Sequence, residues 1–204
     1  LDQDFSIVNR AERRFSFQGK FAADGNCTID DLRLTMLGQH QRTNAALAIA
    51  TVETLNQDDW EISADAIRAG LLNANLQGRS QVVGTTPTVI LDVAHNVASI
   101  TALTQTLSTE LPQWKAAETK RLVFAVSKEK DNAGMLEILL REFDQIILTK
   151  YQDNPRGVAA ESLLDLSEQI VADNQLTGKE IIMAKNPPAA WQQAREIAAD
   201  DDLM

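Results

Sequence analysis

The stretch Thr88-Val-Ile-Leu-Asp-Val-Ala-His-Asn96 gathers groups suited to chemistry, because Asp92, His95 and Asn96 stand at the end of a continuous apolar run. Such a run is the pattern of a strand buried on both faces of a parallel sheet, and the carboxyl end of that kind of strand is where open α/β sheets bind ligands. A second cluster, Leu37-Gly-Gln-His-Gln-Arg-Thr-Asn44, opens an Ala-rich segment of good helix formers from Ala45 to Ala50. The chain has two histidines, and one falls in each cluster. Asn44 offers two amide donors and an acceptor, which match an adenine edge, and Asp92 can accept from ribose hydroxyls. Arg79, after Gly78, carries a planar guanidinium that stays charged and suits phosphate. Each also has a plainer reading: Asn44 bonding at a helix start, Arg79 in a surface ion pair, Asp92 with Asn96 capping the following helix.

These groups need elements to hold them. Residues 5 to 36 alternate apolar and polar positions in short runs broken by Gly19 and Asp24-Gly25-Asn26, which predicts antiparallel strands joined by tight turns. Helices are predicted over 39–56 and over 63–72, the second with Ser63 as N-cap. Asn73 to Ser80, polar and containing Gly78, reads as a linker. Beyond it the pattern alternates: strand 87–93, helix 97–110, strand 121–126, helix 132–142, strand 144–149, helix 159–173, strand 179–184 and helix 188–199. That βα alternation predicts a doubly wound, mostly parallel (Rossmann-like) α/β sheet. Ser127, Lys128 and Asp131 follow one of its strands and so also face the carboxyl edge, where Asp131 equally fits an N-cap. Arg156, in an Asn-Pro-Arg loop, could clamp a carboxylate or simply be an exposed loop charge.

The composition sets outer bounds. The 204 residues allow one large or two small domains, and 44% hydrophobic with 24% charged residues is ordinary for a globular protein. No apolar run is long enough for a membrane span. The net charge of -10 would repel nucleic acid and anionic membranes, so neither is expected as a partner. The single Cys27 cannot form an internal disulfide, which fits a reduced, cytoplasmic setting. Asp165, Glu168 and the acidic run Asp200 to Asp202 read as solvated helix faces or a helix end, and Trp60, Trp114 and Trp191 as packing or half-exposed anchors rather than a stacking platform.

Gly38-Gln-His-Gln41 with Asn44, then Gly78-Arg79, then Leu91-Asp-Val-Ala-His-Asn96 form an ordered set that resembles the Mur ligase superfamily, and within it the folylpolyglutamate synthase/dihydrofolate synthase family. Val126-Ser-Lys-Glu-Lys-Asp131 resembles that family's post-strand Ser-Lys-Asp-Lys-Asp segment. Asn154-Pro-Arg156 with Ala159-Ala-Glu-Ser-Leu163 resembles its Pro-Arg loop and succeeding helix. The resemblance implies that residues 1–77 are the end of an ATP-binding central domain and 78–204 a Mur ligase C-terminal, glutamate ligase domain. It places Asn44 and His40 toward adenine, Arg79 toward phosphates, and Asp92 with His95 toward the ribose and phosphate region, so that the nucleotide site is divided between modules. Ser127, Lys128, Asp131 and Arg156 would lie near the incoming glutamate or acyl substrate. Gln77, Val93 and Val97 stand where the family usually has Pro, Gly and Pro, and none of the three supplies a reactive group.

The activity so implied is ATP-dependent addition of L-glutamate to dihydropteroate or a folate through an acyl phosphate, with ATP and Mg²⁺ as cofactors and a monomeric enzyme. No Gly-x-x-x-x-Gly-Lys-Ser/Thr phosphate loop occurs in the 204 residues, and no cluster of metal ligands is evident. The chain is therefore expected to be a fragment, inactive alone, with its phosphate loop and Mg²⁺ ligands upstream of Leu1. Another Mur-type ligase of cell-wall synthesis and a non-catalytic nucleotide-binding module are the alternatives.

Overall fold

A computed structural model describes residues 4–10, 13–20, 25–58 and 60–204. Leu1 and Asp24, used in the sequence reading, lie outside the described residues. The chain divides into two compact units, Leu1–Arg79 and Ser80–Met204.

In the first unit, β1 (Phe5–Asn9), β2 (Arg14–Gly19) and β3 (Cys27–Arg33) form an antiparallel sheet in the order β1-β2-β3. The expected alternation is real: Phe15, Phe17, Ile29 and Leu32 are buried. Against them pack α1 (Gln39–Leu55), through Ala45, Ala46, Ile49 and Ala50, and α2 (Ala64–Asn73), through Ile67. These α1 positions recur at helical spacing, and three alanines let the helix approach the sheet closely. Ser63 caps α2 by accepting from the Ala66 N–H. Gly38 begins α1 at φ 104°, a left-handed conformation that a glycine adopts without a Cβ clash.

The second unit holds a feature the linear reading missed. Residues 81–85 form a strand, β4 (Gln81–Thr85), which pairs antiparallel with β5 (Thr88–Leu91), Gln81 opposite Leu91. Its Val82 and Val83 are exposed and its pairing is bulged before Gly84, so no clean alternation marks it in the sequence. Farther along, β6 (Arg121–Phe124), β7 (Gln145–Leu148) and β8 (Glu180–Met183) form a parallel sheet in the order β6-β7-β8. The helices are α3 (Val97–Glu110), the short α4 (Pro112–Ala116), α5 (Asn132–Glu142), α6 (Ala160–Asp173) and α7 (Pro187–Ile197). α5 packs on both α3 and α6, while α7 packs on β6 and β7 through Ala190 and Ala194. Strand β7 is buried at all four positions, and Met135, Leu136, Leu139 and Leu140 of α5 are fully buried as well.

The chain end joins the two strand groups. Leu203 makes parallel bridges to Thr88 and to Lys120, with Leu203 N–H donating to the Thr119 carbonyl (3.0 Å) and Met204 N–H to the Thr88 carbonyl (2.8 Å). Asp202–Met204 thus lies between β5 and β6 and parallel to both, so the unit carries one mostly parallel sheet. After β5, β6, β7 and β8 progress in one direction, α7 leads the chain back into this inner position, which is the doubly wound plan.

This overturns the reading of the acidic run as solvated throughout. Asp200 and Asp201 are exposed, but Asp202 is 3% exposed and ion-paired with the buried Arg121. The reason is topological: the segment is an inner strand position, not a helix end. Asp202 also accepts the Thr119 N–H (3.1 Å) and the Ala199 N–H (2.7 Å). Arg121 Nε donates to Gln145, whose amide donates to Glu180, extending a polar ladder across β6, β7 and β8. Burial alone would raise the Asp202 pKa, but the Arg121 contact and the two amides outweigh it and hold the carboxyl below its ordinary 3.8. Among the described residues no helix is long and apolar enough to cross a membrane.

A lowered folded-state pKa means that Asp202 contributes stability above the ordinary carboxylate value, and that this contribution is lost as pH falls through the lower folded value. Asp202→Asn is expected to destabilise the second unit at neutral pH by about 3 kcal/mol, because it leaves Arg121 buried without its counter-charge. The variant's stability should also fall less steeply with acidification below pH 3.8 than the native protein's; urea unfolding across pH measures both. At the start of α3, Asn96 and Ser99 form a reciprocal capping box, so Asn96→Ala is expected to cost about 1 kcal/mol in the same assay.

Candidate functional site

Where β5 leaves the sheet, Asp92 makes the local structure. Its Oδ2 accepts the Ser80 N–H at 2.7 Å and the Ser80 hydroxyl at 3.3 Å, while Oδ1 accepts the Ala94 N–H at 2.7 Å. Ser80 and Asp92 flank the first pair of the β4–β5 hairpin, so the carboxylate ties the hairpin's open ends together. Helix capping falls to Asn96 instead, whose side chain accepts the Ser99 N–H at 2.8 Å. The plainer alternative for Asp92, capping together with Asn96, does not hold: Asn96 caps the helix while Asp92 ties the hairpin.

His95 is exposed, and its Nδ1 lies 3.0 Å from the Val93 carbonyl. A carbonyl can only accept, so Nδ1 carries the proton and Nε2 is left as a lone pair, or as a second donor when the ring is charged. Arg79, the residue before Ser80, is exposed and forms no ion pair with the described residues. One side chain able to bind an anion therefore stands next to each end of the tied hairpin.

In the first unit, His40 and Asn44 are linked through a residue between them. Gln41, 4% exposed, has its Nε2 3.0 Å from His40 Nε2 and its Oε1 3.4 Å from Asn44 Nδ2. The Gln41 amide nitrogen donates, so His40 Nε2 accepts. Asn44 itself is exposed on α1. Gln41 was visible in the Gln-His-Gln pattern, but its burial, which makes it the organiser, was not.

The second cluster lies after β6. Ser127 bridges Gly157 antiparallel, and Lys128 N–H donates to the Arg156 carbonyl at 2.9 Å. The adjacent Ser127 and Lys128 are thereby brought beside the backbone at Arg156, which is far from them in sequence. The Arg156 guanidinium lies 3.7 Å from Glu129, both ends being about 70% exposed, an ion pair of little strength. Asp131 caps α5, accepting the Gly134 N–H at 2.9 Å. A Cβ at Gly134 would come within 2.5 Å of Asp131 Oδ2, so this turn is shaped around the absence of a side chain.

Beyond Met204, a cavity of about 570 Å³ lies between β5 and β6, walled by Ile100 and Leu103 of α3 and by Trp191 of α7. Arg121 N–H bonds Leu203 on this side of β6, so by strand alternation Val123 also turns its N–H and carbonyl toward the cavity. At the carboxyl edge the cavity reaches Asp92, His95 and Thr149, whose buried hydroxyl oxygen has no hydrogen-bond partner. Thr149 escaped the sequence reading because nothing distinguishes it from an ordinary strand terminus.

Among the described residues there is no group of three or more His, Cys, Asp or Glu that could hold a metal ion.

Comparison with known proteins bears on the family and the fold. The family model for the Mur ligase, glutamate ligase domain matches residues 78–204. The dihydrofolate synthase/folylpolyglutamate synthase of Bacillus subtilis is 34% identical over 74% of this chain and 34% of its own length. That of Mycobacterium tuberculosis is 33% identical over 85% of this chain and 35% of its own length. The chain thus spans about a third of the length of these curated relatives. Among solved structures, Mycobacterium tuberculosis folylpolyglutamate synthase complexed with ADP superposes with a TM-score of 0.78 at 29% identity, covering 96% of this chain and 41% of that one. Escherichia coli FolC in complex with DHPP and ADP gives 0.78 at 28% identity, covering 99% and 42%. By its sheet, its ordered motifs and these matches, the chain belongs to the Mur ligase glutamate ligase domain family, on the folylpolyglutamate synthase/dihydrofolate synthase branch.

Proposed function

We propose that these 204 residues supply the C-terminal portion of an ATP-dependent ligase that joins L-glutamate to dihydropteroate or a reduced folate. In this reading the acceptor carboxylate takes the γ-phosphoryl group of ATP and ADP leaves. The glutamate amine then adds to the acyl carbon, loses a proton, and phosphate departs. A carboxylate is a poor electrophile, which is why activation must precede amide formation. Residues 1–77 are assigned to the end of the ATP-binding central domain and 78–204 to the glutamate ligase domain.

The observation that carries the reading is the tied hairpin. Arg79 directly precedes Ser80 and His95 follows Asp92 in sequence, and among the described residues Arg79 forms no ion pair. A guanidinium and an imidazole so placed suit an anionic phosphate chain, and much of phosphoryl transfer is charge neutralisation and positioning. Asn44 and His40 are assigned to adenine, where Gln41 fixes their amide and ring orientations. Asp92 has one lone pair left on Oδ1 for a ribose hydroxyl. Ser127, Lys128 and Arg156 are assigned to the glutamate or acyl substrate, since the backbone pairing of their loops brings these three positions together. Support for the substrates comes from the relatives: solved neighbours are described with ADP and DHPP, and with Mn, AMPPNP and L-glutamate. Mg²⁺ as the metal partner of ATP, a monomeric state and a cytoplasmic setting complete the proposal.

The test is ADP release by the full-length protein with MgATP and glutamate, comparing dihydropteroate, a reduced folate and a UDP-muramoyl acceptor. Release is expected with a pterin acceptor, and Arg79→Ala is expected to lower kcat/KM for ATP by at least about tenfold, the worth of one charge-assisted contact. Release with the muramoyl acceptor alone would move the protein to the cell-wall branch, and no release with any acceptor would overturn the enzyme reading.

A further inference from the structure

The carboxyl edge of the β6-β7-β8 sheet is more positive than the chain as a whole. Its loops carry five cations, Lys128, Lys130, Lys150, Arg156 and Lys185, against three acids, Glu129, Asp131 and Asp153, in a chain of net charge -10. Of those acids, Asp131 is engaged as the cap of α5 and Glu129 faces Arg156. Among the described residues none of the four lysines forms an ion pair. Two of them hold corresponding positions. β7 and β8 pair with Leu148 opposite Met183, and the Ala184 N–H continues the ladder by donating to the Leu148 carbonyl at 2.9 Å. Lys150 and Lys185 each stand two residues past that last pair, so they leave neighbouring strands, about 4.8 Å apart, at the same level. Two unpaired ammonium groups on such neighbours repel, and an anion between them turns the interaction favourable. The stem of Lys150 is also located: a Cβ at Gly157 would lie 3.3 Å from its Cγ, so the stem runs beside that glycine, next in the chain to Arg156.

The spread of the charges decides which anion they suit. Lys128 follows β6, Lys150 follows β7 and Lys185 follows β8, so these positions cover two strand spacings, about 10 Å. One free glutamate has two carboxylates, and the Lys128 and Arg156 positions, already assigned to it, match that number. We propose that this edge binds an oligo-γ-glutamyl chain, the tail of an acceptor that already carries several glutamates, with Lys150 and Lys185 meeting its α-carboxylates. The proposal rests on the ligase reading, in which the acceptor loses one carboxylate to the new amide and gains the two of glutamate, so that every turnover adds one negative charge to the tail. The net charge of the chain repels such a tail at a distance while this edge attracts it locally, which makes its binding strongly dependent on salt.

The experiment measures KM of the full-length protein for a reduced folate carrying one glutamate and for one carrying four, at low and at high salt, in the native form and in Lys150→Gln/Lys185→Gln. The tetraglutamyl acceptor is expected to show the lower KM, by a margin that shrinks with salt. The double variant should raise that KM about tenfold, the effect of two exposed charge contacts, and leave KM for the monoglutamyl acceptor, for glutamate and for ATP unchanged. Lys150→Arg/Lys185→Arg, which keeps both charges, should behave as the native protein does. An unchanged tetraglutamyl KM in the Gln variant would overturn the proposal, and an equal rise with both acceptors would overturn it in favour of a contact to the reacting end. If the full-length protein ligates no acceptor, the ligase reading fails by itself, and fluorescence anisotropy of a labelled γ-linked tetraglutamate then tests the edge directly. Binding by the native protein that weakens in the Gln variant upholds the proposal; no binding, or equal binding by the two, overturns it.

Discussion

The buried pair of Arg121 and Asp202 is the constraint on which the second unit depends. It fastens the segment Asp202–Met204 to the start of β6, and that segment is what connects the β4–β5 hairpin to the β6-β7-β8 sheet. Hydrogen bonds from Leu203 and Met204 reach both sides, so the hairpin that carries Asp92 and His95 shares one carboxyl edge with the loop that carries Ser127 and Lys128. A buried ion pair is tolerable only when its remaining donors and acceptors are met. Here the Thr119 and Ala199 amides and the Gln145 side chain meet them. The two candidate groups are members of one surface because of an interaction at the opposite, amino-terminal edge of the sheet.

At the carboxyl edge a second carboxylate does a different job. Asp92 binds backbone amides on both sides of it, converting the open end of a two-strand hairpin into a closed loop. The chain carries a net charge of -10, yet local charge decides what an anion meets. The negative charge of Asp92 is already engaged by three donors. At the second cluster the Arg156 guanidinium lies beside Glu129 with both groups well exposed, so water screens that pairing and a better-placed carboxylate can compete for it.

The parallel strands and their helices were legible because strands buried on both faces read as unbroken apolar runs and the intervening helices carry their own caps. Asp131 before α5 and Asn96 before α3 are examples. β4 was not legible, since its valines are exposed and its identity as a strand depends on β5 lying beside it. Asp202 was misread for a related reason: an acidic run near a chain end looks solvated, and the arginine that buries it is 81 residues away. At the candidate site the residue types were visible from motif order. Their connections were not, because the partner of Asp92 is fixed by hairpin register and the link between His40 and Asn44 passes through a glutamine whose burial follows from the packing of α1.

The most direct check of the central assignment uses the fact that the chain has two histidines. Imidazole proton and nitrogen resonances of His40 and His95, assigned with His40→Gln and His95→Gln, would be followed during titration of the 204-residue chain with ATP and with AMP. The account expects His95 to respond to ATP and far less to AMP, because it is placed at the phosphate chain, while His40 responds to both through adenine. A His95 resonance that stays unmoved while ATP binds, or that moves equally with AMP, would contradict it.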